Sequence, residues 1–175
     1  NCYDLFEINI PKEHPVYSSE DGVLFNKIKS TLICFPKGKT GNHSIPSGVT
    51  CVSDSAFMGC SGLTSINIPN SVTSIGDKAF SSCKSLTTMN VPNSVTHIGG
   101  KAFSETTWFN NQPEGFVYIN NVLYAYKKPK LPPISIEISK GTVSISGYAF
   151  YHYYMLFSVS IPSSVTSIGS YAFSE

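Results

Sequence analysis

Residues 63–85 read LTSINIPNSVTSIGDKAFSSCKS, and residues 86–108 read LTTMNVPNSVTHIGGKAFSETTW. Related but more divergent copies occupy residues 44–57, 134–150 and 156–173. Each copy contains an Ala-Phe pair, and the steps between successive pairs are 23, 23, 47 and 23 residues. Repetition at a fixed step of this size is the sequence signature of a solenoid, in which each repeat forms one coil. Because a single coil cannot bury its own apolar ends, the coils are expected to stack on one another.

The apolar spacing within residues 63–85 predicts how one coil folds. Ile66 and Ile68 alternate with polar residues, which places both on one face of a short strand. Pro69 lacks a backbone N–H and is expected to end that strand, and Gly76 permits a sharp bend. The Ala-Phe pair fits a single helical or 3₁₀ turn, with Phe80 filling the interior. We therefore expect parallel strands at Ile66–Ile68, Met89–Val91 and Val159–Ile161, and little helix.

If every coil places its phenylalanine inside, these residues should stack as a ladder through the core of the solenoid. The predicted ladder consists of Phe57, Phe80, Phe103, Phe150 and Phe173.

Two segments interrupt the repeats, near residues 17–36 and 115–128. Both alternate apolar and aromatic residues around turn-forming residues, which predicts β-hairpins. In the second segment, Ile119-Asn120-Asn121-Val122 is typical of a two-residue hairpin turn. The predicted fold class is therefore mainly β: one solenoid over residues 1–175, with parallel strands, short helical or 3₁₀ turns and inserted β-hairpins.

The repeated phrase LxxIxIPxSVxxIGxxAFxxC resembles the BspA-like family of leucine-rich repeats, found in surface proteins of bacteria and some protists. The resemblance covers most of residues 40–173 and implies that the solenoid is a leucine-rich-repeat solenoid. One departure is that Ser71, Ser94 and Ser164 stand where the commonest leucine-rich repeat has an Asn that supports the turn. The resemblance implies a secreted or cell-surface protein that binds host, matrix or cell-surface macromolecules.

Composition and charge exclude several classes of function. Charged residues make up 13% of the chain and the net charge is +1, with no basic stripe, so nucleic-acid binding is not expected. No apolar run approaches the roughly 20 residues needed to span a bilayer, so this segment should not insert into a membrane. The chain begins at Asn1 rather than Met, and we interpret it as a mature or excised piece of a longer protein.

The sequence predicts no catalytic site, no metal site and no cofactor. The four histidines do not form an HExxH motif, there is no GxSxG motif, and the five cysteines form no CxxC pair. Cys60 and Cys83 occupy equivalent positions one repeat apart, so stacking would bring them within reach of a disulfide. The alternative, which the sequence favours, is that both are small buried thiols, because Tyr153 fills the same position in a later coil.

The candidate binding residues fall on two surfaces. If Ile66 faces inward, its neighbours in each strand face outward, and stacking should join them into one continuous polar face. These residues are Ser65, Asn67, Thr88, Asn90, Ser135, Glu137, Ser158 and Ser160. Tyr151, His152 and Tyr154 form the second candidate, because they align with Ser81, Ser82 and Lys84, which we expect to face solvent. Either these aromatic residues anchor an interface, or they pack against Tyr124 or Tyr126 of the preceding hairpin.

Two functions are consistent with these features. The first is an adhesion or protein-binding module whose partner is a protein or another macromolecule, with weak, multivalent binding through the strand face. The second is a structural spacer in a larger surface protein, with no ligand of its own. In both cases we expect a protein that is not an enzyme.

Overall fold

The computed structural model describes residues 2–127 and 135–174, which form a stack of β-coils with almost no helix. The strands are β1 Tyr17–Glu20, β2 Val23–Asn26, β3 Thr31–Cys34, β4 Gly41–Ser44, β5 Cys51–Val52, β6 Leu63–Asn67, β7 Ser74–Ile75, β8 Thr88–Asn90, β9 His97–Ile98, β10 Gly115–Ile119, β11 Val122–Lys127, β12 Ser135–Glu137, β13 Ser144–Ile145, β14 Ser158–Ser160 and β15 Ser167–Ile168. A four-residue helix, α1, spans Thr107–Asn110. The fold is the predicted, mainly β solenoid and has about six turns.

Each regular coil contributes one strand to each of two parallel sheets. The longer strands form the sheet β4-β6-β8, in which Ser65 lies opposite Thr88. The two-residue strands form the opposite side, where β5, β7 and β9 pair in parallel and Ser74 lies opposite His97. Paired residues are one repeat apart in sequence, so the repeat length sets the register of both sheets.

The expected parallel strands are confirmed, but each ends one residue earlier than predicted. Ile68, Val91 and Ile161 lie outside β6, β8 and β14. Each of these residues precedes a proline, which restricts its conformation and offers no N–H to continue the ladder.

The Ala-Phe turns are not helical, in contrast to the prediction. Ala79 and Phe80 lie in a hydrogen-bonded turn between Lys78 and Ser82, whose φ values are 53° and 61°. Because left-handed residues on both sides interrupt right-handed helical geometry, the turn cannot extend into a helix. Equivalent left-handed residues recur in later coils, such as Tyr148 and His152.

The phenylalanine ladder is present but is divided into two parts. Ring centroids of Phe35, Phe57, Phe80 and Phe103 follow one another at 4.7, 4.7 and 5.4 Å. Phe103 then packs edge-on against Tyr124 of the second hairpin, not against Phe150. Phe150 begins a second stack with Phe173 at 5.1 Å. Phe173 is 43% exposed because it lies in the last described coil, so its predicted burial is wrong.

Both inserted segments contain antiparallel strands, as predicted. The first is a meander of three strands, β1-β2-β3, rather than a single hairpin. The second is the hairpin β10-β11, in which Ile119 lies opposite Val122 across the expected two-residue turn. In each insertion the last strand takes the place of a two-residue strand, since β3 pairs in parallel with β5 and β11 with β13.

Candidate functional site

The outward side chains of β4, β6 and β8 form a shallow polar groove, which we call the strand face. Asn67, Thr88 and Asn90 are exposed and Ser65 is partly buried, while Ile66 between them is buried. The groove has a volume of about 390 Å³. The exposed side chains that line it are those of Asn, Ser and Thr, whose neutral amide and hydroxyl groups can form hydrogen bonds.

Sequence reasoning missed Asn42 and Ser44, which also line the strand face. They lie on β4, opposite Ser65 and Asn67. The Asn42 Oδ1 accepts hydrogen bonds from the hydroxyls of Thr64 and Ser65, both at 2.8 Å. Pro46 aligns with Pro69 of the next coil, so counting back from these prolines would have located the missing strand.

The strand face is not continuous, in contrast to the prediction. Ser135, Glu137, Ser158 and Ser160 are exposed as expected, but they belong to a separate two-stranded sheet, β12-β14. The hairpin β10-β11 lies between the two sheets in the chain. At its turn the Asn120 amide donates to the carbonyls of Val91 and Pro92, which directly follow β8. The insertion therefore interrupts the surface that regular coils would have extended.

The predicted aromatic residues lie at the surface. Tyr151 and Tyr154 are 37% and 68% exposed, and His152 is also exposed. It is Tyr153 that packs on the hairpin, with its ring 5.0 Å from that of Tyr126. The alignment behind this prediction was partly wrong, because Ser81, expected to face solvent, is buried and hydrogen-bonds the Ser104 hydroxyl at 2.9 Å.

Two further tyrosines extend this surface. Tyr148 stacks on Tyr171 with a centroid separation of 5.2 Å and an interplanar angle of 22°, and Tyr171 is 59% exposed. Tyr148 also contacts Tyr151 edge-on at 5.2 Å. We define the tyrosine patch as Tyr148, Tyr151, His152, Tyr154 and Tyr171.

The tyrosine patch is ordered by contacts among its own side chains. The Tyr154 hydroxyl lies 2.6 Å from the Nδ1 of His152, whose ring centroid is 3.9 Å from that of Tyr151. The Lys101 ammonium lies 4.2 Å from the ring centroid of Tyr148 and 4.8 Å from that of Tyr151. These cation–π contacts tie the patch to the coil before the insertion.

Beside the tyrosine patch, the insertion leaves a recess of about 390 Å³. Tyr124 and Tyr126 of β11 contribute to its lining together with Phe109, while Lys101 and Tyr151 approach from the two flanking coils. The recess exists because β11 continues as a strand where a regular coil would form its Ala-Phe turn. The tyrosine patch and the recess therefore adjoin one another, and Tyr151 belongs to both.

Cys60 and Cys83 are free, buried thiols, so the disulfide alternative is not realised. The Cys83 thiol donates to the carbonyl of Phe57 at 3.0 Å, and the Cys60 thiol to that of Phe35 at 3.7 Å. The neighbouring Cys83 and burial raise the pKa of Cys60 above its ordinary value. Both side chains are fully buried in the core, where they fill space as small packing residues.

Within residues 2–127 and 135–174, no three His, Cys, Asp or Glu side chains are grouped so that they could hold a metal ion. In the same ranges no helix is long and apolar enough to cross a membrane.

Three solved structures resemble this chain over nearly its whole length. The pneumococcal vaccine antigen PcpA is 22% identical, with a TM-score of 0.59 over 97% of this chain and 40% of its own. A leucine-rich repeat protein from Eubacterium ventriosum is 25% identical, with a TM-score of 0.59 over 98% of this chain and 53% of its own. A leucine-rich cell surface protein from Faecalibacterium prausnitzii is 24% identical, with a TM-score of 0.54 over 94% of this chain and 47% of its own. The chain thus spans about half the length of these proteins or less.

No curated protein sequence matches the chain. The pattern of the BspA type leucine-rich repeat region matches residues 26–127 and 118–175, in six copies. Repeats of this family typically serve as protein-interaction modules rather than as enzymes. On this match the chain belongs to the BspA type leucine-rich repeat family.

Proposed function

We propose that this chain is a macromolecule-binding module of a secreted or cell-surface protein, and that the tyrosine patch is its principal contact. The observation that carries the proposal is the patch itself, an exposed cluster of aromatic residues that are ordered by contacts with one another. Met155 and Phe157, which follow it in sequence, are exposed as well. Exposed apolar clusters of this kind mark interaction sites on soluble proteins.

The chemistry of the patch suits a protein partner. Tyrosine is enriched in interfaces because it buries a large, rigid apolar area and still forms a hydrogen bond. The contacts of Tyr148 with Tyr171 and of His152 with Tyr154 fix these side chains before binding, which lowers the entropy lost on association. The strand face presents Asn, Ser and Thr, which are poor interface anchors, and we assign it a weaker, multivalent contribution.

The surface location rests on similarity to proteins described as a cell surface protein and a vaccine antigen. The proposed partner is a host, matrix or cell-surface macromolecule. A spacer without a ligand is the competing function, and the following experiment separates the two.

Beads coated with the chain are incubated with epithelial cell monolayers and with extracellular-matrix coats, and retained beads are counted against albumin-coated beads. Chains with Tyr151→Ser and Tyr154→Ser should lose most of the adhesion. Chains with Asn67→Arg and Asn90→Arg should lose less, because the strand face is secondary. Retention of wild-type beads equal to that of albumin beads would support the spacer function.

A further inference from the structure

The first strand of the strand face has an unpaired edge. β4 pairs with β6 on one side, and no described residue forms a strand on its other side. The Ile45 N–H donates to the carbonyl of Asn67, on the β6 side. Because backbone groups alternate in direction along a strand, the N–H and C=O groups of Asn42 and Ser44 point toward the open edge. Such an edge is a template for an additional strand.

A cavity of about 280 Å³ opens beside this edge. Its lining includes the buried side chains of Val23, Phe25, Leu32, Phe35 and Ile45. This volume is sufficient for one large apolar side chain. The cavity lies between β4 and the turn that joins β1 to β2, and is distinct from the recess beside the tyrosine patch.

His43 shows how an added strand would be oriented over the cavity. It occupies the position on β4 that Ile66 and Met89 occupy on β6 and β8. Its ring packs edge-on against Phe35 at 4.7 Å, and its Nε2 lies 3.1 Å from the carbonyl of Thr40. His43 therefore lines the cavity as the last inward position of the sheet. A residue opposite His43 on a further strand would point into the cavity.

The rim of the cavity carries charged side chains of both signs. Glu20 and Asp21 line it together with a single ammonium, that of Lys39. Glu20 forms an ion pair with Lys29, and Asp21 is exposed at the β1-β2 turn with no ion pair to any described residue. The Lys39 ammonium lies 4.9 Å from the ring centroid of Phe6. The Asp21 carboxylate can therefore form an ion pair with a basic residue of a peptide that enters the cavity.

We propose that the open edge of β4 and the adjoining cavity bind an extended peptide segment of another protein. The segment adds as a strand along Asn42 and Ser44, inserts one large apolar side chain opposite His43, and carries a basic residue near Asp21. Main-chain hydrogen bonds would supply affinity and the cavity would supply specificity, as in other cases of strand addition. This site is independent of the tyrosine patch.

The probe is the pentapeptide acetyl-Lys-Val-Phe-Val-Lys-amide, labelled with a fluorophore, and binding to the chain is measured by fluorescence anisotropy. Replacing the central Phe by Ser should weaken binding about tenfold or more, because the apolar side chain no longer fills the cavity. A peptide N-methylated at alternate residues should also bind weakly, since it cannot donate to the β4 edge.

Two variants of the chain localise the site. Ser44→Pro removes an outward N–H at an edge position where proline is tolerated, and it should abolish pentapeptide binding. Ser44→Ala is the matched control, since it retains the N–H and should bind within twofold of wild type. If the proline variant does not fold, Val23→Phe provides a second variant, because the larger side chain fills the cavity and leaves β4 unchanged.

Tyr151→Ser should bind the pentapeptide as wild type does, so that failure of this site and failure of the tyrosine patch are distinguishable. Three results would overturn the proposal: no binding of the Phe pentapeptide at millimolar concentration, equal binding of the Ser and Phe peptides, or unchanged binding to folded Ser44→Pro or Val23→Phe.

Discussion

The hydroxyl of Tyr124 accepts a hydrogen bond from the backbone N–H of Phe103 at 2.8 Å. In the regular coils the N–H of the equivalent phenylalanine donates to an alanine carbonyl of the next coil. The Phe80 N–H, for example, donates to the carbonyl of Ala102 at 2.7 Å. The second insertion has no Ala-Phe turn at this level, and one tyrosine side chain takes the place of the missing carbonyl. On the other side of the insertion the Tyr126 N–H donates to the carbonyl of Ala149, so the regular pattern resumes.

Tyr124→Phe should lower the free energy of unfolding by about 1–3 kcal/mol, because it leaves the buried Phe103 N–H without a partner. The matched control is Tyr118→Phe, whose hydroxyl accepts from the exposed Ser139 N–H at 3.1 Å and can be replaced by water. Thermal unfolding followed by circular dichroism compares the two. Equal melting temperatures for the two variants would contradict the role assigned to Tyr124.

The stability that Tyr124 contributes should be lost in strong alkali. Burial raises the pKa of its hydroxyl above the ordinary value near 10, and the folded state therefore keeps the proton longer than the unfolded state does. This contribution to stability is fully present below the unfolded pKa and is lost as the pH rises above about 10. Urea unfolding at pH 8 and pH 11 should show a smaller loss for Tyr124→Phe than for wild type. An identical loss would show that other groups account for the alkaline instability.

Phe80→Ala should destabilise the chain by about 3–5 kcal/mol, because Phe80 is fully buried between the rings of Phe57 and Phe103. Phe173→Ala makes the same chemical change at a ring that is partly exposed and stacks on Phe150. The free energy of unfolding of each variant is measured by urea titration, and the loss for Phe173→Ala should be clearly smaller than that for Phe80→Ala. Similar losses of stability at both positions would mean that the contribution of a ladder phenylalanine does not depend on how deeply its ring is buried.

Gly76→Ala should be destabilising for a steric reason. A Cβ at this position would lie 2.3 Å from the Oδ1 of Asp54 and 2.5 Å from its backbone nitrogen, so adjacent coils would have to separate. We expect a loss of about 1–3 kcal/mol, as for other forced insertions into close-packed regions. Gly48→Ala is the control, since a Cβ there meets nothing within 4 Å, and it should be neutral or slightly stabilising. A neutral effect at Gly76 would show that neighbouring coils tolerate wider spacing.

Most of the fold follows from local sequence. The step between Ala-Phe pairs sets the coil length, and the alternation around Ile66 identifies the inward face of each strand. Pro69 and its equivalents mark where the strands end, although the effect of each proline on the residue before it shifted those ends. The turn at Asn120-Asn121 was also predictable, because a two-residue hairpin turn has a strong local preference. These features depend on a few neighbouring residues, and repetition reinforces each of them.

The features that tertiary structure decided arise where the repetition is interrupted. The division of the phenylalanine ladder at Tyr124, the break in the strand face and the recess beside Tyr151 all depend on how one hairpin packs between two coils. Asn42 and the open edge of β4 depend likewise on which strand has no neighbour, a long-range property that hydrophobic periodicity does not encode. The sequence by itself determined the coil and its repeat, because those rest on local backbone preference and the burial of one face. Only tertiary structure decided which side chains remain exposed where coils and insertions meet, because that depends on contacts between residues far apart in the chain.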